Sequence, residues 1–194
     1  MTRGQVLVKR PTRTLGALSI ALLAAGVAVG SGADFSSRTA NPSNTFTAGT
    51  LKMDNSRDAA AILEASGMKP GGAPQTGTVD IQNKGSLGAV FKLSAEAVSS
   101  TDAGEANPDP FATKVNLAVV DCGAYDGTAP ACGDGGDRPV YSGPLSGLGT
   151  VDLGDYAAGG KRRYQFSAAL DASAGSEYQG DAAGARFVWD AVQK

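Results

Sequence analysis

Two cysteines and a glycine-spaced run of aspartates carry most of the chemical potential of this 194-residue sequence. Cys122 and Cys132 lie ten positions apart, and Asp126 stands between them. Asp134 and Asp137 follow in Cys132-Gly133-Asp134-Gly135-Gly136-Asp137. Calcium accepts carboxylate and carbonyl oxygens, and glycine allows the tight turns that gather them, so Asp126, Asp134 and Asp137, with Asp121 nearby, form a weak calcium candidate. The run matches neither an EF-hand loop nor a glycine-rich calcium repeat over its length, and no metal is expected there. The simpler chemistry is a disulfide. Pairing is the default in an oxidising compartment, and closing so short a loop stabilises by about 2.5 to 3 kcal/mol on the chain-entropy account.

Catalysis meets an obstacle of composition, because the chain has no histidine. That removes Ser-His-Asp and Cys-His machinery and the HExxH zinc site of common metalloproteases. A zinc centre would need carboxylates alone, whereas zinc prefers nitrogen and sulfur ligands. The 19 acidic residues formally allow a carboxylate pair for sugar hydrolysis. One Trp and five Tyr offer few stacking platforms, however, and no acidic pair stands out by its setting. The sequence therefore predicts no catalytic residue and no cofactor.

The N-terminus explains why an oxidising compartment is expected. Arg3, Lys9, Arg10 and Arg13 precede an uncharged, largely apolar run over residues 15–33, and the small residues Ser31-Gly32-Ala33 come just before Asp34. A basic segment, an apolar core and small residues at −3 and −1 of a cut make a secretory signal peptide with cleavage between Ala33 and Asp34. A permanent anchor is the rival, since about 20 apolar residues can span a bilayer. Gly26, Gly30, Ser31 and Gly32 weaken the last third of the run and favour cleavage. Membrane contact is then expected only before cleavage, with signal peptidase as the first partner and a secreted location. The terminal Asp190-Ala191-Val192-Gln193-Lys194 carries no apolar tail and no sortase-like signal, so covalent wall attachment is not expected.

Beyond residue 33 the chain carries 13 basic residues against 19 acidic ones, a formal charge of −6. This argues against a nucleic-acid partner. The one basic cluster, Lys161-Arg162-Arg163, reads as a solvated strand start. Residues 34–194 suffice for one domain with a real core. They divide into an extended N-terminal arm over residues 34–47 and a single domain over 48–194.

The elements that position these residues read as β. Phe91, Leu93, Ala95 and Ala97 alternate with Lys92, Ser94 and Glu96, so one face is core and the other wet. Val115, Leu117 and Val119 repeat the scheme, as do Tyr164, Phe166, Ala168 and Leu170, and then Phe187, Trp189 and Ala191. Shorter strands are expected over residues 45–53, 77–82, 138–141 and 150–156. Glycine, proline, asparagine and aspartate fill the gaps with turn chemistry. About eight strands with such loops suit an all-β, jelly-roll-like antiparallel sandwich of two sheets. Residues 57–65 are the local conflict, since Asp58-Ala59-Ala60-Ala61-Ile62-Leu63-Glu64 has strong helix propensity.

Three stretches resemble the TasA and camelysin family of secreted matrix-fibre proteins. Ala33-Asp34-Phe35 followed by Asn44-Thr45-Phe46-Thr47-Ala48-Gly49-Thr50-Leu51 is similar to the family's cleavage junction and first strand. Met68-Lys69-Pro70-Gly71 and Ile81-Gln82-Asn83-Lys84-Gly85-Ser86-Leu87 are similar to its turn and the strand after it. Tyr178-Gln179-Gly180 and Phe187-Val188-Trp189-Asp190-Ala191-Val192-Gln193 are similar to its last loop and strand. Lys52-Met53 departs from the family's usual Asp-Leu, and the Cys122 to Cys132 loop is outside its pattern. The resemblance implies a jelly roll, a strand rather than a helix over residues 59–63, and a dedicated signal peptidase. It also implies polymerisation into biofilm-matrix or cell-surface fibres, with the freed arm adding as a strand to the next copy. Self is then the main partner, beside other matrix components. Phe35 and Phe46 are the arm's large apolar residues. Phe35 alone is large within residues 34–43, so that stretch is not expected to fold back stably on its own subunit. A camelysin-type metalloprotease and a monomeric cell-surface binding module are the alternatives. The missing histidine disfavours the first and the polar arm the second.

Overall fold

The computed structural model describes residues 49–104, 107 and 109–194, together with the backbone of residues 36–38. The expected signal segment, the cleavage pair Ala33 and Asp34, and the arm residues Phe35 and Phe46 lie outside the described residues.

Strands form where apolar and polar side chains alternate, because the period-two pleat turns every second side chain to the same face. They are β1 (Ser36–Arg38), β2 (Met53–Asn55), β3 (Gln75–Asn83), β4 (Ala89–Thr101), β5 (Val115–Ala124), β6 (Arg138–Pro144), β7 (Val151–Tyr156), β8 (Lys161–Leu170) and β9 (Ala182–Gln193). Apart from three single-turn 3-10 segments, the described residues contain no helix. One sheet runs β1-β9-β4-β7 and the other β2-β3-β8-β5-β6, with every pairing antiparallel. The pairs nest first with last: β1 with β9, β3 with β8, β4 with β7 and β5 with β6. A long hairpin rolled up in this way is a jelly roll, with β2 as an added edge.

The inward faces build the core. Phe91, Leu93, Tyr164, Phe166, Val119 and Trp189 are all at most 2% exposed. Their rings interlock, Tyr164 on Trp189 at 5.2 Å and Phe166 on Phe187 at 4.7 Å between centroids. Such ring pairs add directional stabilisation to the area they bury. Ala97 departs from the expected core face. It sits at φ 50° in a bulge of β4 between Glu96 and Ser99, and it and Val98 are turned out to solvent.

Residues 59–63 form neither a helix nor the strand that the family resemblance implies. Two tight turns, Asp58 N–H to Asn55 O and Ala60 N–H to Arg57 O, reverse the chain, and Ala59 has φ 58°. The segment then crosses directly over Gly77, where any Cβ would overlap the Ile62 carbonyl. An irregular path over a glycine thus replaces regular pairing.

Asn83 is the hub of one corner. It is fully buried, and its Nδ2 donates to Leu87 O at 2.8 Å and Ala157 O at 3.1 Å. Its Oδ1 accepts from Gly85 N–H at 3.0 Å. On that corner the N-terminal segment is rooted: Ser86 N–H donates to Thr50 O, and Lys84 N–H to Lys52 O. Gly49 packs against Leu87 where a side chain would overlap.

Candidate functional site

A sheet edge presents unpaired backbone groups, and natural sheets usually block them. Most edges of this sandwich are blocked. The outer strand β6 carries Pro139 and Pro144. The outer side of β3 is lined by residues 56–66, through Ser56 N–H to Asp80 O, Arg57 Nε to Thr78 O, and a Gln75 side-chain amide that bonds both backbone groups of Ser66. The outermost strand of the other sheet, β7, has six residues and a register shift where it meets β4.

The exception is β9. It pairs with β4 along nearly its whole length, but on the other side β1 covers only Asp190 to Val192. Among the described residues no strand pairs with the outer edge of residues 182–189. Two clefts run along that edge. One, of 580 Å³, lies between residues 185–189 of β9 and residues 55–63, and has Trp189, Phe187 and Ile62 in its wall. Its rim charges balance, Arg57 and Arg186 against Asp58 and Glu96, with Arg186 donating to Glu96 at 2.6 Å. The second, of 890 Å³, lies between residues 182–187 and residues 63–70 and reaches the core side chains Phe111, Leu117 and Leu170. Leu63, Ala185 and Phe187 belong to both, so the two clefts make one groove.

The groove collects stretches that the sequence had marked separately. Met68, Lys69 and Pro70 line the apolar cleft from one side, and Tyr178, Gln179 and Gly180 from the other. Phe187 and Trp189 come from the last motif. Tyr178 is held by Phe111 at 6.1 Å between centroids and by the Lys114 ammonium at 5.6 Å above its ring. What a groove beside an open strand edge can do is accept an extended chain, by backbone hydrogen bonds along the edge and side-chain pockets beneath. The groove itself was not legible as periodicity.

β1 corrects one expectation. Residues 36–38 of the arm do fold back on their own subunit, Ser36 opposite Val192, Ser37 opposite Ala191 and Arg38 opposite Asp190. Backbone pairing at a ready-made edge needs no large apolar side chain, which is why counting them misled.

Cys122 and Cys132 are bonded, with their Cα atoms 5.0 Å apart. Two of the calcium candidates bond within their own loop. Asp134 Oδ1 accepts from Gly136 N–H at 3.0 Å, and Asp137 Oδ2 from Gly133 N–H at 2.6 Å. The two carboxylates thus close their own loop, and Asp126 does not join them in a site. Among the described residues no group of three or more His, Cys, Asp or Glu side chains is placed to hold a metal.

The basic cluster does start a strand, β8, but its charges are paired rather than solvated. Asp121 is 1% exposed, and its Oδ2 receives Arg162 at 2.6 Å and Arg138 at 3.2 Å, while Oδ1 accepts from Gly123 N–H. Arg163 makes a two-pronged bond to Asp80, whose carboxyl it holds below the usual carboxylate range. Lys161 lies 4.6 Å above the Tyr125 ring. Beneath these pairs the hydroxyls of Tyr156 and Tyr164 share a hydrogen bond at 2.5 Å. Burial pushes both phenols up, Tyr164 to about 12. This network braces the sandwich.

No model of a known protein family matches the chain, and no curated protein matches its sequence.

Proposed function

We propose that the chain is a secreted structural subunit that polymerises by strand addition, the N-terminal arm of one copy lying along the free edge of β9 in the next. The observation that carries this reading is that, among the described residues, no strand pairs with the outer side of residues 182–189, which stand over the groove. A head-to-tail contact of this kind uses two different surfaces and does not close on itself, so repetition makes a filament. The three motifs that resemble secreted matrix-fibre proteins support the same reading, because they root the arm and line the groove. Extracellular matrix or the cell surface is the proposed location, after cleavage between Ala33 and Asp34. The subunit acts by assembly rather than catalysis.

The self-pairing of β1 is compatible with exchange. It engages three residue pairs, whereas an arm from another copy is not tethered to the acceptor's own corner at Thr50 and Ser86 and can run along the whole edge. Negative-stain microscopy of the purified chain beginning at Asp34, beside a variant lacking residues 34–43, tests the proposal. Filaments are expected from the first and folded monomers from the second. Filaments of normal length from the deletion variant would show that any polymer uses another surface.

A further inference from the structure

The two sheets present different outer faces. On the sheet that holds β4 and β9, opposite charges meet across strands: Lys92 stands opposite Asp190 on one side and Asp152 on the other, and Glu96 opposite Arg186. The other sheet carries no charge over the middle of four strands. Thr76, Ser167, Ala118 and Ser142 lie in register across β3, β8, β5 and β6. Thr78, Gln165 and Val120 form the next row. Their strand neighbours Val79, Phe166 and Val119 are buried in the core, so the pleat turns both rows outward, with Thr76 and Ser142 exposed and the others half-buried. Charges at the margins are engaged: Arg163 with Asp80, Arg138 with Asp121, Asp171 with Asn116, and Arg57 with the Thr78 carbonyl.

We propose that this uncharged face packs on the same face of a second copy, sheet against sheet, and so joins filaments side by side. Beyond residue 33 the chain has 13 basic residues against 19 acidic ones. Copies so charged repel, and a face without charge is where two of them close up without burying an unpaired ion. The rows offer a charged partner no counter-charge, and a sugar polymer no aromatic ring. The chain's own arm is too short to cover them. Arg38 sits on an edge of the other sheet, and Gly49 at the Asn83 corner. The row of Thr76 lies seven positions along β3 from that corner, about 24 Å. The ten residues between Arg38 and Gly49 span at most about 36 Å, too little to run out over these rows and return. Four strands by two rows make about 300 Å² per copy, well under the roughly 800 Å² per partner of a stable interface. A single pair of copies is therefore weak, and repetition along a filament makes the contact hold. That last step rests on the strand-addition reading, whereas the face itself does not.

The test compares the chain beginning at Asp34 with Ser167→Glu, Ser167→Lys and Ser167→Thr. In negative stain, parent and Ser167→Thr filaments are expected to lie in side-by-side pairs, and both charged variants to give single filaments of unchanged length. A self-facing contact suffers from either sign, because each copy meets its own charge. Amide spectra of ¹⁵N-labelled parent, recorded before assembly from micromolar to millimolar concentration, need no variant. They are expected to shift at Ala118, Gln165 and Ser167, and the shifts to vanish in Ser167→Glu. If parent filaments stay single and these amides ignore concentration, the inference is wrong and strand addition stands. If the amides respond but no filament forms, strand addition falls and the face contact stands. Side-by-side pairing that survives either charged variant would also overturn the inference.

Discussion

Replacing Asn83 by leucine, a side chain of similar shape, should destabilise the sandwich by about 3 kcal/mol. Three side-chain hydrogen bonds of 3.1 Å or less are lost, to Leu87 O, to Ala157 O and from Gly85 N–H. Each contributes about 1 kcal/mol net, and the groups left behind lie in a corner where Asn83 itself has no exposed surface. In a domain of this size each kcal/mol moves Tm by about 2–4 °C, so a fall of about 6–12 °C is expected. Urea unfolding followed by far-UV circular dichroism and by Trp189 emission supplies the free energy, with the slope unchanged. Asn116→Ala is the control, since its one side-chain bond, to Asp171, is exposed and should cost less than about 0.5 kcal/mol. A variant Asn83→Leu within about 0.5 kcal/mol of the parent would refute the hub, and with it the account of how the arm's root is fixed.

Replacing Cys122 and Cys132 together by serine should cost about 2.5 to 3 kcal/mol and leave the fold intact, and thiol labelling of the parent should find no free sulfhydryl in native or denatured protein. Stability should be flat through neutral pH, because no histidine titrates there. It should fall on the acid side as pH drops below about 4: the folded-state values of Asp80 and Asp171, the latter at about 2, lie below the unfolded 3.8, so the stabilisation present above that value is lost as pH falls through the folded one. Above pH 10 the sign reverses in origin. The buried Tyr164 stays protonated to about 12 while the unfolded phenol ionises at 10.0, so its stabilisation is complete below 10 and lost as pH rises toward 12. Denaturation midpoints from pH 2 to 12 check both limbs. Phe35→Ala should weaken each filament junction by about 1.5 to 3 kcal/mol of lost aromatic burial, raising the critical concentration about ten- to a hundredfold without changing monomer stability.

The strands were the most legible part of the chain. Tyr164, Phe166, Ala168 and Leu170 announce β8, and Phe187, Trp189 and Ala191 announce the inner end of β9, because a half-buried strand writes its burial into alternate positions. Residues 57–65 misled, since helix propensity is local while the crossing over Gly77 is imposed by a strand met later in the chain. Lys161-Arg162-Arg163 misled for a related reason: its partners Asp80 and Asp121 come from β3 and β5, and only sheet register brings them together. The groove depends on what the fold places on either side of it, residues 55–70 and β9, which no pattern within β9 can express. Its lining motifs were visible one by one, and the fold supplied their adjacency.

The central claim, that the free edge of β9 is where copies join, is tested most directly by hydrogen exchange of peptides covering residues 182–189 in monomer and in assembled protein. An edge without a partner exchanges quickly, and an edge paired by an incoming strand is protected. The account predicts that the amides of this stretch that point away from β4 are among the fast ones in the monomer and become strongly protected on assembly, while the amides donating to β4 and those of β5 and β8 stay slow in both. Assembly with the 182–189 amides still exchanging at the monomer rate would contradict it.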